Sequence, residues 1–272
     1  MEFSESRLIP IGERAEISAW ESVWSLAPKN TREQLGLSWA RSGDGAIALH
    51  ASGFGWWFFN RVLGIGLTGV GDTLWLDGEL DRFEAAGQPY GVSFCSELVP
   101  RGFADHLAGR GLRHQNTLAK MIRRSDDLPL RGPDRDIREI GPEDMALFVQ
   151  TLRQGFGVPA TLDDLFATLP GEKGWHCYLG YDKGRPVATG ALYHAADTAW
   201  LGFGSVVPDS RRSGMHRAMM LFRMQAAAEM GCRWLVTETN RPEGDEPAPS
   251  YRNMESLGFT PAYFRPNHIR AA

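Results

Sequence analysis

The chain has 272 residues, of which 43% are hydrophobic and 23% charged, as in a globular protein that folds in water. The formal net charge of −4 argues against a general nucleic-acid binder, since such proteins are usually basic. No apolar run reaches the roughly 18 residues that a membrane-spanning helix needs. The first residues, MEFSESRLIPIGERAE, lack the apolar core of a signal peptide.

The cysteines point to a reducing compartment. Cys95, Cys177 and Cys232 are far apart and odd in number, which favours reduced thiols over a disulfide frame or paired zinc ligands. We therefore expect a cytoplasmic protein with no metal site and with neither nucleic-acid nor membrane partners. The sequence leaves a homodimer open.

The first half of the chain alternates predicted helices and strands. Residues 13–27 place Ile17, Trp20, Val23 and Trp24 at helical spacing, which indicates an amphipathic helix. A short helix follows around residues 32–35. The other elements predicted for this half are strands at 46–50 and 56–63, a helix at 74–86 that Gly87 and Pro89 end, a strand at 90–94, a helix at 102–108 and a strand at 116–123.

A polar segment divides the chain. Residues 124–135, RSDDLPLRGPDR, contain two prolines and a glycine and predict a linker between domains at 1–123 and 136–272. The second domain predicts a strand at 137–140, helices at 143–154 and 162–169, strands at 176–181, 186–193 and 199–207, a helix at 215–230, a strand at 234–238, a helix at 250–256, and a final strand at 262–264 with an extension to 269 left open.

One loop of the second domain has the chemistry of an anion site. Residues 206–207 end a strand, Pro208 turns the chain, and a run at helical spacing begins at Met215. The N–H groups at a helix start are unpaired, and the helix dipole adds positive potential there. Gly214 lets a ligand approach the backbone, and the arginines at 211–212 add charge, so the loop suits a pyrophosphate.

At these residues the chain resembles the GNAT superfamily of acyl-CoA-dependent N-acetyltransferases. The family pattern is a strand ending in a hydrophobic-Pro step, then Arg/Gln-x-x-Gly-x-Gly/Ala and a helix. Arg211-x-x-Gly214 fits this pattern, whereas His216 stands where the family has a small residue. The order of predicted elements over 136–270 also matches. The alternative for the loop is an ordinary strand-to-helix turn with a solvated arginine pair.

The resemblance implies both the fold class and the cosubstrate. The fold class is α/β (α+β), with two GNAT-like domains, each a mixed, mainly antiparallel central sheet flanked by helices; the cosubstrate is acetyl-CoA. Residues 107–112 and 254–259 both run from a helix end through glycine to a strand, as in distant repeats. Residues 64–72, GIGLTGVGD, are rich in glycine but have no basic residue. We interpret the first half as a degenerate GNAT-like domain that lost cofactor binding; the alternative is an unrelated α/β domain.

The same resemblance assigns cofactor contacts. The pyrophosphate goes to the loop, and the pantetheine arm goes to the end of the preceding strand and to Asn240, which is otherwise a turn residue. Gly202 and Gly204 inside that strand indicate a bulge or the close approach of another chain, which fits acyl-CoA lying against it. The predicted cofactor-binding residues are Val206, Val207, Arg211, Arg212, Ser213, Gly214, Met215, His216, Arg217 and Asn240.

The family's catalytic positions are altered. Its usual thiolate acid is a Tyr four residues before the helix-ending glycine, and Met254 stands there. Tyr251, about one turn earlier on the same face, is the predicted acid, with packing in the core or an interface as the alternative. The strand that usually carries the base has no acid, so Glu238 on the next strand is the predicted base. Its alternative is a strand-end residue that faces water or pairs with arginine; Tyr193 and His194 are further candidates.

The sequence as a whole predicts an N-acetyltransferase that moves an acetyl group from acetyl-CoA to an amine of a small molecule by direct attack. The alternatives are a non-catalytic acyl-CoA-binding or sensing protein on the same fold and a protein-modifying acetyltransferase. Glu243, Asp245 and Glu246 either attract a cationic amine or are simply solvated. The run FGWWFF at 54–59 is either an aromatic wall facing the second domain or a buried strand of the first.

Overall fold

The computed structural model describes residues 5–128, 135–244 and 248–271. The helices are α1 (Glu5–Leu26), α2 (Lys29–Leu35), α3 (Thr73–Ala86), α4 (Phe103–Gly109), α5 (Met145–Phe156), α6 (Asp163–Phe166), α7 (Met215–Glu229) and α8 (Pro249–Ser256). The strands are β1 (Leu37–Arg41), β2 (Ile47–Ala51), β3 (Arg61–Leu63), β4 (Tyr90–Ser93), β5 (Arg113–Arg124), β6 (Ile137–Ile140), β7 (Trp175–Asp182), β8 (Arg185–Ala195), β9 (Thr198–Val206), β10 (Trp234–Asn240) and β11 (Thr260–Arg270). None of the helices described is long and apolar enough to cross a membrane.

All of these strands belong to one sheet, in the order β1-β2-β3-β4-β11-β5-β10-β9-β8-β7-β6. Two neighbouring pairs, β3 with β4 and β9 with β10, are parallel, and the other pairs are antiparallel. The sheet is therefore mixed and mainly antiparallel, as predicted. The order is also nearly symmetric about its centre, because each half contributes a meander of antiparallel strands that ends in one parallel pair.

The two halves exchange their last strands. β5 closes the first half in sequence, yet it pairs with β10 of the second half over seven residue pairs. β11 ends the second half, yet it pairs with β4 of the first. β5 and β11 also pair with each other from Ile122↔Thr260 to Arg113↔Ile269. Main-chain hydrogen bonds thus join the halves, and separating them would expose unpaired strand edges.

The structure confirms most predicted elements and corrects some of them. α1 begins at Glu5 instead of residue 13, and its buried face includes Trp20 and Trp24, as predicted. β1 is an element that the sequence did not predict, and the predicted helix at 162–169 is the short α6. The predicted linker overlaps the end of β5, and residues 129–134 lie outside the described residues. A domain division at 124–135 stays a prediction.

The aromatic run at 54–59 is not a strand. Trp57–Phe59 form a 3₁₀ turn, and only then does β3 begin. The side chain of Asn60 holds this turn: its Oδ1 accepts from the Ala51 N–H at 2.7 Å, and its amide donates to the Phe54 carbonyl at 2.9 Å. The Asn60 side chain thereby occupies backbone groups that strand pairing would otherwise use. The aromatic rings consequently project from a compact loop.

A buried ion cluster lies where the exchanged strands meet α1. Glu16 of α1 accepts from Arg61 of β3 at 3.1 Å and also from Lys120 of β5 and Arg265 of β11. Burial alone would raise the pKa of Glu16, but these three cations hold it well below its ordinary value. The cluster is electrically balanced; its members are Glu13, Glu16, Arg61, Lys120, Glu238 and Arg265.

Removing one charge from this cluster should cost much of the stability. Glu16→Gln keeps the side-chain shape but leaves buried cations without compensation, so we expect the free energy of unfolding in urea to fall by about 3–5 kcal/mol. The matched control is Glu33→Gln, because the side chain of Glu33 is 68% exposed. That variant should stay within about 0.5 kcal/mol of the parent chain. A loss below about 1 kcal/mol in Glu16→Gln would show that the cluster is not needed.

Candidate active site

The sheet opens between β9 and β10. The two strands pair in parallel only as far as Trp200↔Val236 and then diverge. At the point of divergence the Thr237 hydroxyl donates to the Leu201 carbonyl at 2.9 Å. From Gly202 onwards, the edge of β9 faces the opening instead of a neighbouring strand. A peptide-like ligand can therefore lie along this edge.

A β-bulge shapes the exposed part of β9. Its register with β8 shifts so that Phe203 and Gly204 together stand opposite Gly190, and regular pairing resumes at Ser205. Phe203 has a φ of +50°, which is rare for a bulky residue. The bulge turns its ring into contact with Trp20, at a centroid distance of 5.5 Å. The glycines at 202 and 204 do mark a bulge, one of the two meanings predicted for them.

Arg223 of α7 forms hydrogen bonds to backbone carbonyls on both strands at the bulge. This side chain is 1% exposed; it donates to the carbonyls of Gly202 at 2.8 Å and Ala191 at 3.0 Å. A Cβ at Gly204 would lie 3.0 Å from the Arg223 guanidinium, and one at Gly190 would lie 2.8 Å from it, so the arginine needs both glycines. Burial lowers the pKa of Arg223 to about 10. Within the described ranges no carboxylate pairs with it, and Tyr178 is the neighbour whose charge acts on its pKa. Arg223 was not predicted from the sequence. The available signal was its position among the apolar residues Met219, Met220 and Met224.

Two cavities meet at this opening. The basic cavity, of about 680 Å³, is lined by the loop at 210–217, the end of β9 and the start of α8. The aromatic cavity, of about 250 Å³, lies deeper between the halves. Residues that line both cavities mark their junction and are Phe156, Gly204, His216 and Ser250.

The loop of the basic cavity has the free donors that an anion needs. Gly214 has a φ of +84° and begins α7. In the part of the chain that the structure describes, the backbone N–H groups of Ser213, Gly214, His216 and Arg217 have no hydrogen-bond acceptor. Arg212 adds an exposed cation. Unpaired N–H groups, a helix start and positive side chains together fit a pyrophosphate.

The loop arginines differ in whether they form hydrogen bonds within the protein. Arg211 donates to the Gly155 carbonyl at 3.1 Å, and Arg217 donates to the Ser256 hydroxyl at 3.0 Å. These bonds hold the loop against the end of α5 and the end of α8. Arg212 has no such bond within the described residues and is the free cation of the three.

In the first half, residues 64–72 follow β3 as the basic loop follows β9, and the carboxylate of Asp44 fills this segment. Asp44, in the turn between β1 and β2, accepts from the N–H groups of Gly66 at 2.8 Å and Asp72 at 3.0 Å. Burial would raise the pKa of Asp44, but its hydrogen bonds to Ser42 and to backbone N–H groups lower it. A negative group thus occupies the place where the second half presents free donors.

His216 stands at the junction as a neutral side chain. Burial, and then the charge of Arg223, lower the pKa of His216 to about 4. Its Nδ1 lies 3.5 Å from the side-chain amide of Asn253 on α8. A neutral imidazole at this point can still donate one hydrogen bond and accept another.

The aromatic cavity is walled by rings from both halves. The first half supplies its wall from α1 and from the turn at 57–59, and the second half supplies its wall from α5, α6 and β9. The run at 54–59 therefore does form an aromatic wall that faces the second half. The aromatic lining residues are Trp20, Trp56, Phe58, Phe59, Phe156, Phe166, Trp200 and Phe203.

Of the two predicted catalytic residues, Glu238 lines a cavity and Tyr251 does not. Glu238 lines the aromatic cavity, but its Oε2 lies 2.9 Å from Lys120 and 2.7 Å from Arg265 in the ion cluster. On α8, Ser250 and Met254 line the cavity. Tyr251 is half-buried and is not among the lining residues of either cavity within the described chain.

Asn240, Val207 and Tyr193 line neither cavity within the described chain. The Asn240 side chain accepts a hydrogen bond from Asn116 at 2.9 Å, and the Val207 N–H donates to the Val187 carbonyl at 2.9 Å. Tyr193 packs on Trp175 at the far end of β8. Of the acidic loop, Glu243 is exposed, whereas Asp245 and Glu246 lie outside the described residues.

Solved acetyltransferases share this fold. A GCN5-related N-acetyltransferase from Kribbella flavida aligns with a TM-score of 0.67 at 17% identity, over 96% of this chain and 96% of that one. Another, from Sphaerobacter thermophilus, aligns with a TM-score of 0.62 at 16% identity, over 97% and 90%. A tandem GNAT protein from the clavulanic acid biosynthesis pathway has a TM-score of 0.55 at 14% identity, over 98% and 96%.

No family model matches the sequence, and no curated protein matches it either. At such low sequence identity the structural likeness concerns the fold. The strand order, the two parallel pairs and the coverage of a tandem protein agree on the architecture. The chain therefore has the tandem fold of GCN5-related N-acetyltransferases, with two GNAT-like domains whose strands join in one sheet.

Proposed function

We propose that the chain is an N-acetyltransferase that binds acetyl-CoA in the basic cavity and transfers the acetyl group to a small-molecule amine in the aromatic cavity. The observation that carries this proposal is the junction of two cavities of opposite chemistry at the opening between β9 and β10. A pyrophosphate and an apolar acceptor would approach each other there from different sides.

The cosubstrate would lie along residues that the structure leaves open. The N–H groups at 213–217 and the Arg212 side chain would hold the pyrophosphate, and the exposed edge of β9 up to Val206 would hold the pantetheine arm. The thioester would then reach Gly204 at the junction, where a side chain would collide with Arg223. Asn240 could join through its side-chain NH2 group, since its bond to Asn116 uses only the Oδ1.

The chemistry needs little beyond positioning. When acetyl-CoA is bound, the thioester supplies an activated acetyl group that the amine attacks directly: a C–N bond forms, the C–S bond breaks, and a proton leaves the nitrogen for the sulfur. Holding both partners at one junction accounts for much of such a rate. Ser250 and His216 are the hydrogen-bonding side chains at that junction, so they are placed to contact the leaving sulfur.

The size of the acceptor cavity favours a small molecule. A cavity of about 250 Å³ lined by rings of both halves suits a single small amine better than a protein segment. The second candidate function is a non-catalytic acyl-CoA sensor. Met254 at the family's tyrosine position and the ion pairs of Glu238 are the observations that favour it.

Acetyl-CoA should stabilise the protein. Ligand at about 100 times its Kd adds about 2.7 kcal/mol, which raises the melting temperature by several degrees. Arg212→Gln should raise the Kd of acetyl-CoA by about two- to fivefold at low salt. The increase should be smaller at high salt, because screening already reduces the contribution of an exposed cation. Arg101→Gln, which removes an exposed arginine of the first half, is the matched control. An unmoved melting curve would refute the cosubstrate assignment.

Two hydroxyl variants separate the candidate donors to the leaving sulfur. Ser250 lines both cavities and Tyr251 neither, so we expect Ser250→Ala to lower kcat by about tenfold. This is less than a general acid usually contributes, because a thiolate leaves readily. Tyr251→Phe should stay within about twofold of the parent enzyme. A loss of about ten- to a hundredfold in Tyr251→Phe, with Ser250→Ala unaffected, would instead support Tyr251 as the acid predicted from sequence.

A further inference from the structure

Among the described residues, few titratable side chains line the aromatic cavity, and its one carboxylate already forms ion pairs. Within the described chain, its charged or titratable lining residues are His216, Arg223 and Glu238. The Oε2 of Glu238 forms ion pairs with both Lys120 and Arg265. His216 is a weak base, since burial lowers its pKa to about 4.

The charge around the cavity also disfavours a cation. The ion cluster behind Glu238 contains as many cations as anions. Arg223 adds one positive charge that no carboxylate offsets within the described residues, and its Nη2 contacts only the Met220 sulfur, at 3.7 Å. A protonated alkylamine would lose its hydration in this cavity and would lie near the positive charge of Arg223.

We propose that the acceptor is an aromatic amine, whose nitrogen is bonded directly to a ring and is uncharged near neutral pH. This proposal rests on the proposed acetyl transfer and names its substrate class. The ring would pack against aromatic faces contributed by both halves, and the neutral nitrogen would keep its lone pair for the attack. The nitrogen forms the C–N bond, CoA departs with the sulfur, and one nitrogen proton passes to that sulfur, which gives the anilide and free CoA.

The proposal explains two features together. A weakly basic amine needs no general base before it attacks, which matches the engaged Glu238 and the neutral His216. An aryl ring suits a cavity whose walls are Trp and Phe side chains, because edge-to-face and stacked ring contacts add to the burial of apolar area. A cationic amine would have to share the Glu238 carboxylate with Lys120 and Arg265, which already pair with its Oε2.

Two isomeric amines test the proposal. 4-Methylaniline and benzylamine have the same atoms and nearly the same volume, but near neutral pH the first is uncharged and the second is protonated. With saturating acetyl-CoA, we expect kcat/KM for 4-methylaniline to exceed that for benzylamine by at least about tenfold near pH 7, with product identified by mass spectrometry. The ratio should narrow as the pH rises to about 9.5, where benzylamine loses its proton.

The outcomes separate this inference from the proposed function. Equal rates near pH 7, a preference for benzylamine, or no acetylation of either isomer by protein that binds acetyl-CoA would overturn the aromatic-amine proposal. Acetylation of benzylamine alone would leave the acetyltransferase assignment standing. Failure to bind acetyl-CoA would overturn both.

A variant pair tests the place of binding. Trp56 lines the aromatic cavity but is 38% exposed, so Trp56→Ala should fold normally. It should raise KM for 4-methylaniline by about two- to tenfold, with the Kd of acetyl-CoA unchanged. Leu74→Ala, which removes an apolar side chain that is 84% exposed and lies outside this cavity, should change neither constant. An unchanged KM in Trp56→Ala would show that the amine binds elsewhere.

Discussion

The exchange of β5 and β11 between the halves holds the two parts of the molecule in one arrangement. These two strands pair with each other and with the parallel pair of the opposite half. They also carry Lys120 and Arg265, which meet Glu16 of α1 and Glu238 of β10 in a buried, balanced cluster. Such a cluster is costly to desolvate and is stable only when every charge is paired, so it fixes one arrangement of the halves.

That arrangement builds the acceptor cavity. Because α1 is tied by Glu16 to the exchanged strands, Trp20 is held over the opening between β9 and β10. The turn held by Asn60 supplies the second part of the first half's wall. In the proposed function the first half therefore binds no cosubstrate but encloses the acceptor. The two loops illustrate the division: Asp44 fills one, whereas the other retains free N–H groups.

The sequence predicts local features well and long-range contacts poorly. The strand, Pro208, Gly214 and α7 could be located because turn chemistry and helical periodicity are local signals. The bulge at Gly202 and Gly204 was also foreseeable, since glycine in a strand has few other uses. The exchange of strands could not be predicted, because pairing partners far apart in sequence leave no periodic trace. For the same reason Glu238 could be named, but its partners Lys120 and Arg265 could not.

The number of acetyl-CoA molecules that each chain binds distinguishes the two halves, since the loop of the second half has free N–H groups and Asp44 fills the loop of the first. Isothermal titration calorimetry of the whole chain should give a stoichiometry of about one, set by the free N–H groups at 213–217. About two molecules per chain would show that Asp44 does not close the first loop, and the absence of binding would contradict the account as a whole.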